Sequence, residues 1–491
     1  MNRLCLAALG AVLIIPARLC AQRPDTLRLS LQDAVSLALR NSDEVRMSAA
    51  LVDVADAQVG TARASGLPQL RVNSTYSHVW ENARANAVGS IFNQPNTYNA
   101  SLSLSQTFFQ GGRIVASTRA ASDTRAASRL DEQEARSRLT VDVQRAYLQV
   151  LFTTQMVAIQ RSNVALASSR VDQIEQMQNA GRAARYDVLR ARVERANLEP
   201  VAIQSENDRD IAMLDLKRVL NIPINVPIVP TTSIDPNALR TTLVALEDST
   251  TLPDRPSLRS AELIAAGRHQ GVIVARADLL PFASVTIQNG FQAFPPLGGV
   301  LANGQPVTAQ RLGIPIARGF ADNAFCAQGT RLDQKCQNGG WFTDRSVTAT
   351  ISFPLFDGLR AKSNIDLARA QERVAQINLQ LTRETVSLEV ARARAELKRA
   401  RAVFEARQEN SGQAREAFQL ASLRFNRGLS TQLEVSDAQL ALLTAQTTEA
   451  RGTYDLYLAT AELARALGRP IPFPPTLPSS RSSDSGTSRE P

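Results

Sequence analysis

Few side chains in this 491-residue chain are placed for chemistry. Its two histidines, His78 and His269, stand far apart, and neither has a second ligand at metal-binding spacing. There is no phosphate loop, no HExxH, no CxxC and no nucleophile elbow, so no catalytic residue, metal or cofactor is assigned. Two carboxylates are better placed. Glu434 and Asp437, three residues apart near a helix start, share one helical face. The plainer reading of the pair is that acids at a helix N-terminus complement its dipole. Cys326 and Cys336 lie close together in a Gly/Asn/Gln-rich stretch, which in an exported chain points to one disulfide.

Export is written at the N-terminus. Arg3 supplies a positive start and Leu4 to Ile15 an apolar core, and cleavage after Ala21 leaves Gln22 first, giving a signal peptide at 1–21. Cys20 follows Leu19, where a lipid-attachment signal needs a small residue, which argues against lipidation. Lys and Arg total 55 against 46 acids, but the arginines alternate with Glu and Asp along helical stretches. No basic block with interleaved aromatics exists, so nucleic acid is not an expected partner. No later apolar run is long enough for a membrane-spanning helix, so any crossing of a membrane must be made by strands.

The elements that carry these residues are duplicated. Ser105-Gln-Thr-Phe-Phe-Gln-Gly-Gly-Arg113 resembles Ser352-Phe-Pro-Leu-Phe-Asp-Gly-Leu-Arg360 at a displacement of 247 residues. The same displacement carries Gly181 onto Gly428, Asp187 onto Glu434 and Leu220 onto Leu467. Upstream, Ala62 to Pro68 matches Ala275 to Pro281 at a shorter displacement of 213, so the second copy holds an insertion, placed at 293–345 with both mature cysteines. Prolines are absent from Pro95 to Pro200 and from Pro354 to Pro470. These windows predict long helices over 112–179 and 358–426, each roughly 100 Å long. Shorter helices are expected over 31–65, 185–220, 256–279 and 431–467, with a kink at Pro200. A proline-rich connector occupies 222–255, and the Pro/Ser-rich end at 469–491 holds a disordered tail.

Between the helices of each copy lie two alternating segments, about 69–80 and 98–108, then 282–292 and 346–353. Leu70, Val72, Tyr76 and Trp80 oppose Arg71, Asn73, Thr75 and Ser77, and the next strand sets Tyr98, Ala100, Leu102, Leu104 and Phe108 against small polar residues. The second copy sets Ala283, Val285, Ile287 and Phe291, then Val347, Ala349, Ile351 and Phe353, against Ser, Thr and Gln. Period-two alternation with a small-polar second face suits tilted strands of a membrane barrel with a wet lumen. Four strands cannot close around water, and open edges in lipid leave backbone groups unpaired, so several chains must pool their strands.

Helix, strand, strand, long helix, short helix, all repeated, resembles the TolC family of outer membrane factors over about Leu29 to Gly468. The motifs are the Leu-Pro before the first strand of each copy, Phe109-Gln-Gly-Gly112 with Phe356-Asp-Gly-Leu359, and Gly181 with Gly428. The resemblance implies a mainly α fold with a membrane β part. It implies a homotrimer with a 12-stranded β-barrel in outer-membrane lipid, continuous with a 12-helix periplasmic α-barrel. Repeats at 22–221 and 256–468 would be joined by an equatorial connector at 222–255, and the segment after Gly468 would complete the belt. Gly181 and Gly428 would mark periplasmic tips that meet an adaptor (membrane fusion protein) coupled to an inner-membrane pump. Glu434 and Asp437 match the family's pore-facing gate acids, a ring of six in a trimer that would concentrate cations. Asp187 matches the acid of the closing network at the other turn. Its usual tyrosine partner is Phe425 here and the usual arginine is Ser430, so the family's locking hydrogen bonds cannot all form.

The function implied is a passive exit duct of a tripartite efflux or type I secretion system. Drug or small-molecule efflux is favoured, with protein secretion and metal-ion export as variants. The alternative is a periplasmic coiled-coil scaffold or adaptor without a barrel, against which the alternating strands count. An enzyme in the connector would have too little chain and no paired catalytic groups.

Overall fold

The computed structural model describes residues 27–81, 83, 96–232, 255–293 and 341–468. The expected signal peptide at 1–21 with Cys20, connector residues 233–254, loop residues 294–340 with Cys326 and Cys336, and the segment at 469–491 lie outside them.

Along the chain run β1 (Leu27–Leu29), α1 (Leu31–Asn41), α2 (Asp43–Ala64), β2 (Gln69–His78), β3 (Asn96–Gln110), α3 (Arg113–Asn179), α4 (Arg185–Val219) and β4 (Ile228–Pro230). They are followed by α5 (Pro256–Arg276), β5 (Phe282–Ala293), β6 (Trp341–Ser352), α6 (Arg360–Asn426) and α7 (Gln432–Ala466). Every bound of α6 and α7 lies 247 residues after the matching bound of α3 and α4. The long helices have 67 residues each and their successors 35 each, so the sequence repeat is also a backbone repeat.

Strand β2 ends at His78 and β3 spans Asn96–Gln110, against the expected 69–80 and 98–108, and three further differences have a visible local cause. The helix expected over 31–65 breaks at Ser42, whose extended backbone (ψ 129°) ends α1 before α2 restarts at Asp43. The helix expected over 256–279 ends at Arg276 and tightens into a 3-10 turn over Ala277–Leu279. Strand β6 begins at Trp341, so residues 341–345 belong to the sheet and not to the insertion. Helix α4 continues through Pro200.

The chain divides into two compact units, one of residues 48–132 and 256–384, the other of the remainder. In the first of these, the strands form one antiparallel sheet in the order β2-β3-β5-β6. Leu70 pairs with Leu104, Leu104 with Ile287 and Ile287 with Val347, so one apolar row crosses all four strands. A bulge between Thr107 and Phe109 shifts the register, so that Phe109, not Phe108, comes opposite Ala283. Gln106 is on the apolar face and satisfies its amide by donating to the Gly66 and Thr107 carbonyls.

The strand-to-helix corner needs left-handed backbone. Gly111 has φ +56°, and a Cβ there would lie 2.8 Å from Leu280 Cβ and 3.0 Å from Ala277 Cα. Its successor Gly112 has φ +80° in open space, and the second copy repeats the corner with Gly358 at +71° and Leu359 at +66°.

The other unit is held by helix packing. Ser30 opens α1 with a reciprocal cap: its hydroxyl accepts from the Asp33 N–H at 3.1 Å while the Asp33 carboxylate accepts from the Ser30 N–H at 3.3 Å. Leu31, Ala34 and Ala38 then pack with Val143 of α3, Leu216 of α4 and Ile228 of β4. Tyr147, fully buried, donates from its hydroxyl to the Leu29 carbonyl at 2.8 Å and accepts from the Thr231 and Thr232 amides at 3.2 Å. It thereby pins β1 and its parallel partner β4 to α3. A second cluster sets Leu148 of α3 and Leu397 and Phe404 of α6 against Tyr457 and Leu463 of α7. Each such large side chain stabilises the fold by about 1.5–3 kcal/mol.

The same unit holds a buried ion network. Arg255, with its side chain 7% exposed, donates to Glu134 of α3 at 2.7 Å and to Glu389 of α6. Arg465 of α7 adds contacts to Glu389 at 3.6 Å and Glu462 at 3.1 Å. Burial alone would lower the Arg255 pKa, but hydrogen bonds and charge from Glu134 and Glu389 outweigh it and hold the pKa above the ordinary arginine value. Arg255→Ala should therefore cost about 3–5 kcal/mol, because it leaves Glu134 buried with only the weaker Arg465 contact at 4.0 Å to offset its charge. Arg255→Met combined with Glu134→Gln should cost less than the single change, as read from denaturant unfolding.

Candidate functional site

Two surfaces stand out, the sheet and the helix turns. The sheet has no packed face. Every residue of β2 is exposed, and so is every residue of β6 from Thr343 to Ser352. Val72 is 76% and Ile351 80% exposed, while Arg71 and Asn73 on the opposite side of β2 are also open. A soluble sheet buries at least one side, so this one lacks the cover that water would demand. Both edge strands, β2 and β6, offer unpaired backbone groups along their outer sides. No helix among the described residues is long and apolar enough to cross a membrane.

The helix turns are built alike. Helix α3 ends in a reversal at Gly181 (φ +71°), where the Arg182 N–H reaches the Met177 carbonyl at 2.8 Å and the Gly181 N–H reaches Gln178 at 2.8 Å. Helix α6 ends the same way at Gly428 (φ +73°), with the Leu429 N–H on the Arg424 carbonyl at 2.8 Å. Asp187 accepts from the Ala184 N–H at 3.1 Å, so its carboxylate caps α4. Thr431 caps α7 through the Glu434 N–H at 3.4 Å.

Glu434 and Asp437 both lie on the exposed side of α7, opposite the buried Gln432 and Val435. Glu434 pairs with Arg424 of α6 at 3.6 Å, which partly offsets its charge. Asp187 serves its own helix. The two turns are nonetheless tied together, since Gln173 of α3 donates to Asn426 of α6 at 2.9 Å and Ser436 of α7 donates to Glu194 of α4 at 3.1 Å. Val171, Ile174, Val188 and Ala191 form the small apolar core beneath the first turn. Sequence reasoning missed Glu194, Ser436 and the buried Arg170, because no motif or spacing marks them. Among the described residues no group of His, Cys, Asp or Glu is arranged to hold a metal ion.

A sheet exposed on both faces beside long paired helices narrows the fold, and comparison with known proteins decides the family. The profile described as "Outer membrane efflux protein" matches residues 34–221 and 325–469. The chain belongs to that family. This TolC-like efflux protein is 24% identical over 443 residues to outer membrane protein OprJ of Pseudomonas aeruginosa, covering 89% of this chain and 84% of that one. It is 25% identical over 449 residues to the pyoverdine export outer membrane protein OpmQ of Pseudomonas putida, covering 89% and 85%. The crystal structure of the outer membrane protein VceC from Vibrio cholerae shares its fold at TM-score 0.67 and 18% identity, covering 90% of this chain and 97% of that one. The efflux protein is thus an outer-membrane channel with a periplasmic helical part, and the family acts within efflux pump systems.

The turn glycines give a direct check on the site's backbone. Gly181→Ala and Gly428→Ala should each cost about 1–2 kcal/mol, since nothing crowds either Cβ position and only the left-handed backbone is penalised. Hydrogen exchange should report the loss as faster exchange at the amides of residues 181–182 and 428–429, with asparagine variants falling between alanine and wild type.

Proposed function

We propose that three copies of this chain pool their sheets into a 12-stranded barrel and their helices into a 12-helix periplasmic tube, forming the exit duct of a tripartite efflux system. The observation that carries this reading is the sheet with two open edges and two open faces. In lipid each unpaired backbone group costs several kcal/mol, and edge-to-edge closure between copies removes that cost. Helix α6 supports self-association, because Leu367, Val374 and Leu381 recur at heptad spacing and all are exposed. A scaffold without a barrel gives no reason for an apolar sheet face that nothing covers.

In this duct the apolar row through Leu70, Leu104, Ile287 and Val347 faces lipid, and the small polar face lines a wet lumen. The turns at Gly181 and Gly428 are the periplasmic tips, which meet an adaptor coupled to an inner-membrane pump. Glu434 and Asp437 form the acidic constriction, with Arg424 neutralising part of the ring and Asp187 shaping the neighbouring turn. Passive conduction needs no cofactor, and the energy comes from the pump. Small organic molecules are the cargo class that fits best, in keeping with relatives such as the pyoverdine exporter.

Purified protein in planar bilayers should conduct ions, with current blocked by multivalent cations from the side of the tips. The paired change Glu434→Ala with Asp437→Ala should weaken that block. Conduction with block unchanged would remove these two acids from the constriction, and no conduction at all would contradict the duct.

A further inference from the structure

The four strands of the sheet carry two arginines, and these stand on opposite faces. Arg71 shares its row with Ser103, Gln288 and Ser346, on the small-polar face. Arg345 shares its row with Asn289, Leu102 and Val72, so it belongs to the apolar face, next to the row of Leu104, Ile287 and Val347. It is exposed, and its Nε donates to Asn289 Oδ1 at 3.2 Å. No carboxylate on that face answers its charge. The strands hold one acid, Asp344, which precedes Arg345 on β6 and so points to the other face. Strand β2, the edge that a second copy would bring against β6, has none.

Apolar and aromatic positions continue past Arg345 toward the end of the sheet away from the strand-to-helix corners. Phe291 is on the next row of that face, and Tyr76 and Tyr98, with ring centroids 4.9 Å apart, are on the row after. Tyrosines on an outward face mark the water interface of a membrane barrel. In the other direction the same face runs through Val347 and Ala349 to Ile351. From Ile351 to the level of the tyrosines is about 33 Å along the strand, or roughly 25 Å of height at a barrel's tilt, which is the height of an apolar band. On the same scale Arg345 is about 10 Å beneath the tyrosines. A cation at that depth is costly unless it finds an anion.

We propose that Arg345 is an anionic-lipid site on the outer wall of the barrel, taking the phosphate of a lipid in the external leaflet. The Asn289 side-chain carbonyl holds Nε and orients the guanidinium, leaving both terminal nitrogens to donate to two phosphate oxygens. The long stem snorkels toward the headgroups, while the exposed Val72 and Leu102 meet the acyl chains. The leaflet is the external one, because the phosphate is drawn toward the tyrosine level and the helical part of the protein is periplasmic.

This inference rests on the reading of the chain as a membrane channel, and its test separates the two. Full-length wild type, Arg345→Gln and Arg71→Gln are purified in detergent and titrated with phosphatidylglycerol or phosphatidylcholine, and bound lipid is counted by native mass spectrometry. Wild type should hold one phosphatidylglycerol per chain about tenfold more tightly than phosphatidylcholine, the scale of one hydrogen bond to a charged group. Arg345→Gln should lose that preference and Arg71→Gln should keep it. Should the Arg345→Gln protein fail to assemble, Arg345→Lys, which keeps the charge without the fork, should bind the anionic lipid several-fold more weakly than wild type. Excess inorganic phosphate should not displace the lipid, since the acyl chains supply part of its hold. The site is overturned by a wild type without preference, by an Arg345 variant that binds as wild type does, by equal loss in Arg71→Gln, or by displacement with free phosphate. A wild-type protein that dissolves without detergent and stays monomeric would overturn the channel reading instead.

Discussion

Backbone hydrogen bonding at an unclosed sheet is the constraint from which the other features follow. A strand in hydrocarbon must pair on both sides, because no water is present to take up a stranded N–H or C=O. Strands β2 and β6 have no described neighbour on their outer sides, and both carry apolar residues that nothing covers. One chain therefore contains an incomplete wall. Membership of the outer membrane efflux protein family gives that wall its setting, and the family's channel activity gives it a purpose. On the proposed duct, the apolar row through Leu70, Leu104, Ile287 and Val347 is a surface matched to lipid, where in water it would be a liability.

Duplication supplies the second theme, and the departures from it are informative. The backbone repeats so closely that Leu359 takes the left-handed φ of Gly112, a conformation that glycine adopts without strain and leucine does not. That corner is fixed by architecture and only partly by local preference. Side chains diverge more freely. Arg465 of α7 joins the buried network around Arg255, whereas its counterpart Arg218 of α4 is exposed beside Asp215. Arg170 and Glu194 have alanines as counterparts. Two copies of one scaffold thus share a frame and differ in the side-chain contacts built on it.

Much of the frame was legible in the sequence because its signals are strong and local. Proline-free windows showed where the long helices α3 and α6 could run, and strict alternation located all four strands, since both rest on backbone rules that neighbours seldom override. Gly181 and Gly428 were readable as turns because their left-handed φ is a demand that glycine meets best. What escaped depends on contacts distant in sequence. Nothing near Leu27–Leu29 announces a parallel partner at Ile228–Pro230, and Tyr147 gives no sign that its hydroxyl ties the two to α3. The β3 bulge was hidden because Phe108 and Phe109 are both apolar, so either could have held the register. Glu434 and Asp437 were singled out through a family resemblance, while the Ser436–Glu194 contact joins two helices distant in sequence and has no linear signature. The break at Ser42 was missed as well, since Ser42 and Asp43 read equally well as a helix interior and as a stop followed by a fresh start.

The claim that copies of this chain share their sheets can be tested by linking one edge to the other. Thr75→Cys on β2 and Ser346→Cys on β6 both lie on the small-polar face, and they are introduced with Cys326 and Cys336 replaced by serine. A short bis-maleimide added to the protein in outer membranes should give covalent species of one, two and three chains that end at three. Monomers alone, or a series that continues past three, would contradict the account.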